Sequence, residues 1–137
     1  MTLRFLSGFA AVTLAVAGLA APAAMAKPMS GAGAVKMIDT DNDGTVDLKE
    51  VQAVASATFD RLEKDSDGTL DRKELKGRLS AAGLKQADPD NDGTIDKKEY
   101  LAAVAERFKA ADPDNDGTLD AKELNSKAGK ALLALIK

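Results

Sequence analysis

Positions repeating at helical spacing occur in three places along this chain. Val51, Val54, Thr58, Phe59 and Leu62 form one stripe, and Tyr100, Leu101, Val104, Phe108 and Ala111 a second. Leu132, Leu135 and Ile136 form a third, behind Ser126, which is placed to cap the helix carrying them. The segment from Leu75 to Ala87 is a weaker helix former. Gly77 and Gly83 lower its propensity, and Ser80 is positioned to start a short new helix at Ala81. These stripes read as core rather than as a surface for a cofactor.

The pattern ahead of residue 27 is of another kind. Met1–Ala26 holds one basic residue, Arg4, an apolar run from Phe5 to Ala21 and the small-residue ending Ala24-Met25-Ala26. That is the layout of a secretory signal cleaved after Ala26. A retained anchor is the alternative, but the run is short for a bilayer and rich in Ala and Gly. The expectation is an exported chain, periplasmic in a bacterium, with residues 27–137 as one domain.

Between the stripes the tetrapeptide Asp-Gly-Thr-apolar occurs four times, with glycines at 44, 68, 93 and 117. Such even spacing marks an internal repeat. Aligned on glycine, the repeats read DTDNDGTVDLKE, EKDSDGTLDRKE, DPDNDGTIDKKE and DPDNDGTLDAKE, here loops 1 to 4. Three of them match the EF-hand calcium-loop pattern at every constrained position. A hard cation takes six to eight oxygens, and this spacing supplies them. Carboxylates come from positions 1, 3 and 5, a backbone carbonyl from position 7, and a closing bidentate Glu from position 12. Position 6 needs the sharp turn that Gly permits.

The expected metal ligands follow. Loop 1 offers Asp39, Asp41, Asp43, Thr45, Asp47 and Glu50, and loop 2 Glu63, Asp65, Asp67, Thr69, Asp71 and Glu74. Loop 3 offers Asp88, Asp90, Asp92, Thr94, Asp96 and Glu99, and loop 4 Asp112, Asp114, Asp116, Thr118, Asp120 and Glu123. Of the chain's 22 acids only Asp60 and Glu106 fall outside these positions, which a merely solvated acidic face does not explain. Val46, Leu70, Ile95 and Leu119 at position 8 are placed both for burial and for a short strand joining two loops. The connectors between loops hold only 12 or 13 residues. Each must be the exit helix of one loop and the incoming helix of the next. The fold class expected is all-α, a compact small helical domain with four EF-hand loops joined by short shared helices and short loop–loop β-pairing.

Composition narrows the chemistry. With no Cys and no His there is no disulfide, no thiolate or imidazole metal site and no general base of the usual kind. A net charge of −3 provides no field for nucleic acid. Past residue 26 the only aromatics are Phe59, Tyr100 and Phe108. So small a core implies that bound metal supplies part of the folding energy. Five carboxylates per loop favour a more highly charged ion by Coulomb attraction, although dehydration opposes it. Pro89 and Pro113, at position 2 of loops 3 and 4, stop the preceding helix and stiffen the loop.

Short connectors, proline at position 2 in DPDNDGTID and DPDNDGTLD, Asp at position 9 throughout and a secretory signal together resemble lanmodulin. The resemblance extends to ELKGRLS, KKEYLAAVAERFKAADPDNDGT and the SKAGKALLALIK tail. It implies loops paired unlike calmodulin's and up to four sites for lanthanide(III) ions such as La, Ce and Nd. Ca2+ would be the weaker ligand and the fourth site a weaker one. It further implies a periplasmic monomer of methylotrophic bacteria that compacts on binding metal and serves lanthanide uptake, buffering or trafficking. Its partners would be a lanthanide-dependent alcohol dehydrogenase or the uptake machinery, with no membrane association after signal cleavage. Thr40, Lys64 and Glu63 depart from the pattern. With Arg72 and Lys73, Lys64 leaves loop 2 a net charge of −2, so that site too is expected to be weaker. The rival is an exported calcium buffer or sensor. A sensor's Met-rich groove is doubtful, because Met29 and Met37 both precede loop 1. A dockerin-like module would carry two repeats, and an enzyme would need a nucleophile or base not already claimed as a ligand.

Overall fold

Two helices of fifteen residues, α2 (Leu48–Leu62) and α4 (Lys97–Ala111), act as struts between the loops. The computed structural model describes residues 29–137, and the expected signal at 1–26 lies outside them. Within that span the order is α1 (Gly31–Ile38), β1 (Val46–Asp47), α2, β2 (Thr69–Leu70), α3 (Ala81–Ala87), β3 (Ile95–Asp96), α4, β4 (Thr118–Leu119), α5 (Ala121–Asn125) and α6 (Lys127–Ile136). The chain is mostly helical, with the strands confined to position 8 and its neighbours.

Pairing of those strands determines the architecture. β1 joins β4 antiparallel, with Val46 opposite Leu119, and β2 joins β3, with Leu70 opposite Ile95. Loop 1 is therefore coupled to loop 4, and loop 2 to loop 3. Each strut runs from one coupled pair to the other, in opposite directions, across about 22 Å of helix. Both α2 and α4 are at once the exit helix of one loop and the incoming helix of the next, as the short connectors require. All four position-8 side chains are fully buried.

The stripes foreseen from spacing face this core. Val51, Thr58, Phe59, Tyr100, Val104, Phe108 and Ala111 are buried, together with Ala55, while Val54, Leu62 and Leu101 pack at its margin. Phe59 and Tyr100 meet with ring centroids 5.7 Å apart and planes tilted by 59°, tying α2 to α4. Lys97 reinforces that contact from outside. Its ammonium lies 2.8 Å from Asp60 and 5.8 Å from the centre of the Phe59 ring.

The middle connector is not one helix. After loop 2 the chain makes turns through residue 77, where Gly77 takes φ 72°, and only at Ala81 does α3 begin. The Ser80 side chain accepts the Gly83 N–H, as its spacing suggested. Ser126 starts α6 in the same way, accepting the Gly129 N–H at 3.0 Å.

Helix α1 has no counterpart in the sequence reading, for a clear reason. It is eight residues with two glycines and no charge pattern, and it is held from outside. The Gly31 N–H donates to Asn125 Oδ1 at 2.8 Å, and a Cβ on Gly31 would stand 1.9 Å from the Ala121 carbonyl oxygen. Ser30 caps its start by accepting the Gly33 N–H, and packing against α5, distant in sequence, supports so short a helix.

Helix α6 closes the core against both struts. Its last carbonyls have no helical partner. The Thr58 hydroxyl donates to the Ile136 carbonyl at 2.9 Å and the Tyr100 hydroxyl to that of Leu135 at 2.5 Å. Arg107 adds a bond to the Ala131 carbonyl at 2.8 Å. Burial pushes the Tyr100 phenol up to about 12, which keeps it a donor throughout the working range.

Two substitutions test this closure by denaturant unfolding of the metal-loaded protein. Tyr100→Phe leaves the Leu135 carbonyl unpaired and should cost about 1–3 kcal/mol. Gly129→Ala would put a Cβ 2.2 Å from the Glu123 carbonyl oxygen and should cost a similar amount, about 1–3 kcal/mol, by overpacking α6 on α5.

Candidate metal centres

Each loop is shaped by its own carboxylates accepting backbone N–H groups. In loop 1, Asp39 takes the Asn42 N–H on Oδ1 at 2.6 Å and the Gly44 N–H on Oδ2 at 3.0 Å. Asp41 takes the Asp43 N–H, and Asp43 Oδ1 takes both the N–H and the hydroxyl of Thr45. The last arrangement recurs at Asp67, Asp92 and Asp116 with Thr69, Thr94 and Thr118. Position 7 is thus pinned by its own side chain, leaving its carbonyl as the oxygen the spacing assigns to an ion.

Two positions per loop require left-handed backbone. Position 6 is Gly in every loop, with φ between 84° and 92°. Position 4 also has positive φ, at Asn42 (61°), Ser66 (65°), Asn91 (58°) and Asn115 (56°). Sequence reasoning passed over position 4, although Asn in three loops of four was the available sign, since Asn tolerates this conformation better than most residues. Ser66 tolerates it less well.

Positions 9 and 12 act as a pair. Asp47 accepts the Glu50 N–H while Glu50 Oε2 accepts the Asp47 N–H, a reciprocal cap at the start of α2. Asp96 with Glu99 starts α4, and Asp120 with Glu123 starts α5, in the same way. Asp71 and Glu74 make the same two bonds in loop 2, but turns follow in place of a helix. In loops 1, 3 and 4 the position-9 carboxylates are therefore turned to helix starts, where the helix dipole favours them.

Three acids of each loop converge, whereas Glu50, Glu74, Asp92 and Asp116 stand outside these groups. Asp39, Asp41 and Asp43 each bring one carboxylate oxygen within 4.8 Å of the others, as do Glu63, Asp65 and Asp67. In loops 3 and 4 the groups are Asp88, Asp90 and Glu99, and Asp112, Asp114 and Glu123. Asp88 is 5% exposed and Asp112 6%. Asp112 Oδ2 accepts the Gly117 N–H, but its buried Oδ1 has no partner among the described residues. A buried carboxylate oxygen without a donor is costly, and a hard cation bound by its neighbours would satisfy it.

Titration reflects the crowding. The hydroxyl and N–H of Thr45 hold Asp43 below the ordinary carboxylate range, and the N–H and hydroxyl of Thr69 do the same for Asp67. At Glu50, desolvation pushes upward but donors from Asp47 and Thr40 outweigh it and lower the carboxyl. Asp90 is raised, chiefly because it shares a hydrogen bond with Asp88. In Asp88 itself desolvation is outweighed by donors led by the Gly93 N–H, and the carboxyl is lowered. Asp41 ends above its usual value, because desolvation and the carboxylates around it outweigh the Asp43 N–H.

Loop 2 differs from the other three in geometry as well as in sequence. Position 1 accepts the N–H of the position-6 glycine at 3.0 Å in loop 1, 2.9 Å in loop 3 and 3.0 Å in loop 4. Among the described residues Glu63 makes no such bond. It keeps only the bond to the position-4 N–H, that of Ser66, which Asp39 also makes to Asn42.

The EF hand family profile matches residues 36–55, 81–105 and 104–126, which take in loops 1, 3 and 4. Lanmodulin from Methylorubrum extorquens is 59% identical to this chain over 69 residues. That match covers 50% of this chain and 52% of the relative, so it spans about half the length of each.

Two outcomes are expected. Glu63→Asp should restore the bond to the Gly68 N–H and tighten ion binding at loop 2 by about three- to tenfold, as one recovered hydrogen bond would, measured by single-loop titration. In a carboxyl 13C NMR titration of the metal-free protein, Asp41 and Asp90 should take up protons first as pH falls, and Asp43, Asp67 and Glu50 last. Ion binding needs the charged carboxylates. It should therefore be constant from about pH 8 to about pH 6, there being no His, and weaken toward the carboxylate range near about pH 4.

Proposed function

We propose that this is an EF-hand protein similar to lanmodulin, that it binds metal ions rather than catalysing a reaction, and that its ions are trivalent lanthanides, held selectively over calcium. The observation that carries this reading is the convergence of acids in all four loops, with the buried Asp112 Oδ1 in loop 4 that has no partner among the described residues. Five carboxylates per loop are more than a divalent ion neutralises, and the attraction they exert grows with the charge of the ion. The twenty-four loop residues named from sequence are proposed as the ligand set. Those at positions 1, 3, 5 and 12 and the position-7 carbonyls would touch the ion directly, and the position-9 carboxylates would shape the cage from the helix starts.

Binding would also complete the fold. Each loop brings like charges together, and the helices between loops are too short to be stable alone. The ion therefore stabilises the folded chain by the amount by which it prefers the assembled cage. Export by cleavage after Ala26 would place residues 27–137 in the periplasm as a monomer. There the protein would take up, buffer or pass on lanthanides, with a lanthanide-dependent alcohol dehydrogenase or uptake machinery as recipient. Loop 2 would be weaker than its neighbours, as its missing Gly68 bond and its Lys64, Arg72 and Lys73 charges suggest.

A calcium buffer would use the same ligands, and one experiment separates the two readings. Titration of residues 27–137 with chelator-buffered lanthanum and with calcium, followed by far-UV circular dichroism, should show helix appearing at far lower free lanthanum. An equal response to both ions would favour the calcium buffer. A metal-free chain that is already fully helical and melts cooperatively would refute metal-driven folding.

A further inference from the structure

The glutamate that closes each loop has two oxygens, and the loops differ in what holds them. In all four, Oε2 accepts the N–H of the position-9 aspartate. In loop 1, Glu50 Oε1 also accepts the Thr40 N–H at 2.6 Å and the Thr40 hydroxyl at 2.9 Å. In loop 2, Glu74 Oε1 accepts the Lys64 N–H at 2.9 Å. Thr40 and Lys64 stand at position 2, where loops 3 and 4 have Pro89 and Pro113, and proline has no N–H to give. There the glutamate comes within 4.8 Å of the position-1 and position-3 carboxylates, a convergence seen for Glu99 and Glu123 and not for Glu50 or Glu74.

From this difference we infer that position 2 controls the closing glutamate: Pro89 and Pro113 leave Glu99 and Glu123 free to meet an ion, whereas the Thr40 and Lys64 N–H groups latch Glu50 and Glu74 away from it, so that loops 3 and 4 load before loops 1 and 2. This rests on the reading of the loops as ion sites. The β-pairing adds a consequence. Loop 1 is joined to loop 4 and loop 2 to loop 3, so each coupled pair holds one open site and one latched site. Each pair therefore fills in two steps, the proline loop first. Loop 4 then belongs with the early sites, not with the weaker ones that the resemblance implies. The proline's effect here is electrostatic as well as conformational: it removes a donor that competes with the ion for one carboxylate oxygen.

In loops 1 and 2 the residue ahead of position 2 already suits a proline. Asp39 (φ −63°, ψ 103°) and Glu63 (φ −66°, ψ 116°) already have the extended geometry required ahead of proline, and Thr40 and Lys64 are exposed. The test uses residues 27–137 with lanthanum as the probe. Thr40→Pro and Lys64→Pro should each tighten their own loop by about tenfold, the order of one charge-assisted hydrogen bond. The controls Thr40→Ala and Lys64→Ala keep the N–H and should recover little of that gain, although the second removes the same positive charge. Pro89→Ala and Pro113→Ala should weaken their loops by a comparable factor. In the unsubstituted protein, 15N NMR should show the Gly93 and Gly117 amides responding to fewer equivalents of lanthanum than those of Gly44 and Gly68. Loading of loops 1 and 2 first, or proline variants no different from the alanine controls while four ions still bind, would overturn this inference alone. A chain that takes up no lanthanum at all would overturn it together with the function on which it rests.

Discussion

Mutual repulsion among carboxylates is the constraint on which the rest of this molecule depends. Twenty acids are packed into four twelve-residue loops, and each loop must hold its own five close together. The backbone does much of that work. N–H groups from positions 4, 5, 6 and 7 are aimed inward at the acids, and the left-handed residues at positions 4 and 6 make that aim possible. The loop is a small anion-holding cradle before it is a cation site, and its residual negative charge is what a hard cation would neutralise.

The helices solve a different problem. With so few aromatic side chains, the chain cannot build a large core, and it economises by sharing. α2 and α4 serve two loops each, and the four buried position-8 residues join those loops in antiparallel pairs. α6 then seals the struts, its terminal carbonyls taken by Thr58 and Tyr100. Loop geometry and core packing are thereby linked. Glu50 and Glu99 cap the struts through their position-9 partners, and Glu99 also brings an oxygen within 4.8 Å of those of Asp88 and Asp90.

Much of this was legible in the residues. The four loops, their acids, the shared helices, the break at Ser80 and the cap at Ser126 all follow from local rules, because spacing, turn chemistry and capping act over a few neighbouring residues. The resemblance to lanmodulin indicated that the loops pair differently from calmodulin's, yet nothing local says that loop 1 meets loop 4. Helix α1 is short and glycine-rich, its local sign is the single cap at Ser30, and much of its support comes from α5, about ninety residues away. The need for left-handed backbone at position 4 was legible in principle, in Asn42, Asn91 and Asn115, and was passed over because glycine at position 6 already explained the turn.

The division follows the range of the forces involved. Which acids a loop can bring together is written in the order of the side chains, since each cluster lies within one twelve-residue loop. Which loops are partners and how deeply Asp88 and Asp112 are buried emerge only on folding. Those outcomes depend on burial and on directional hydrogen bonds, whose geometry is settled when distant segments pack together.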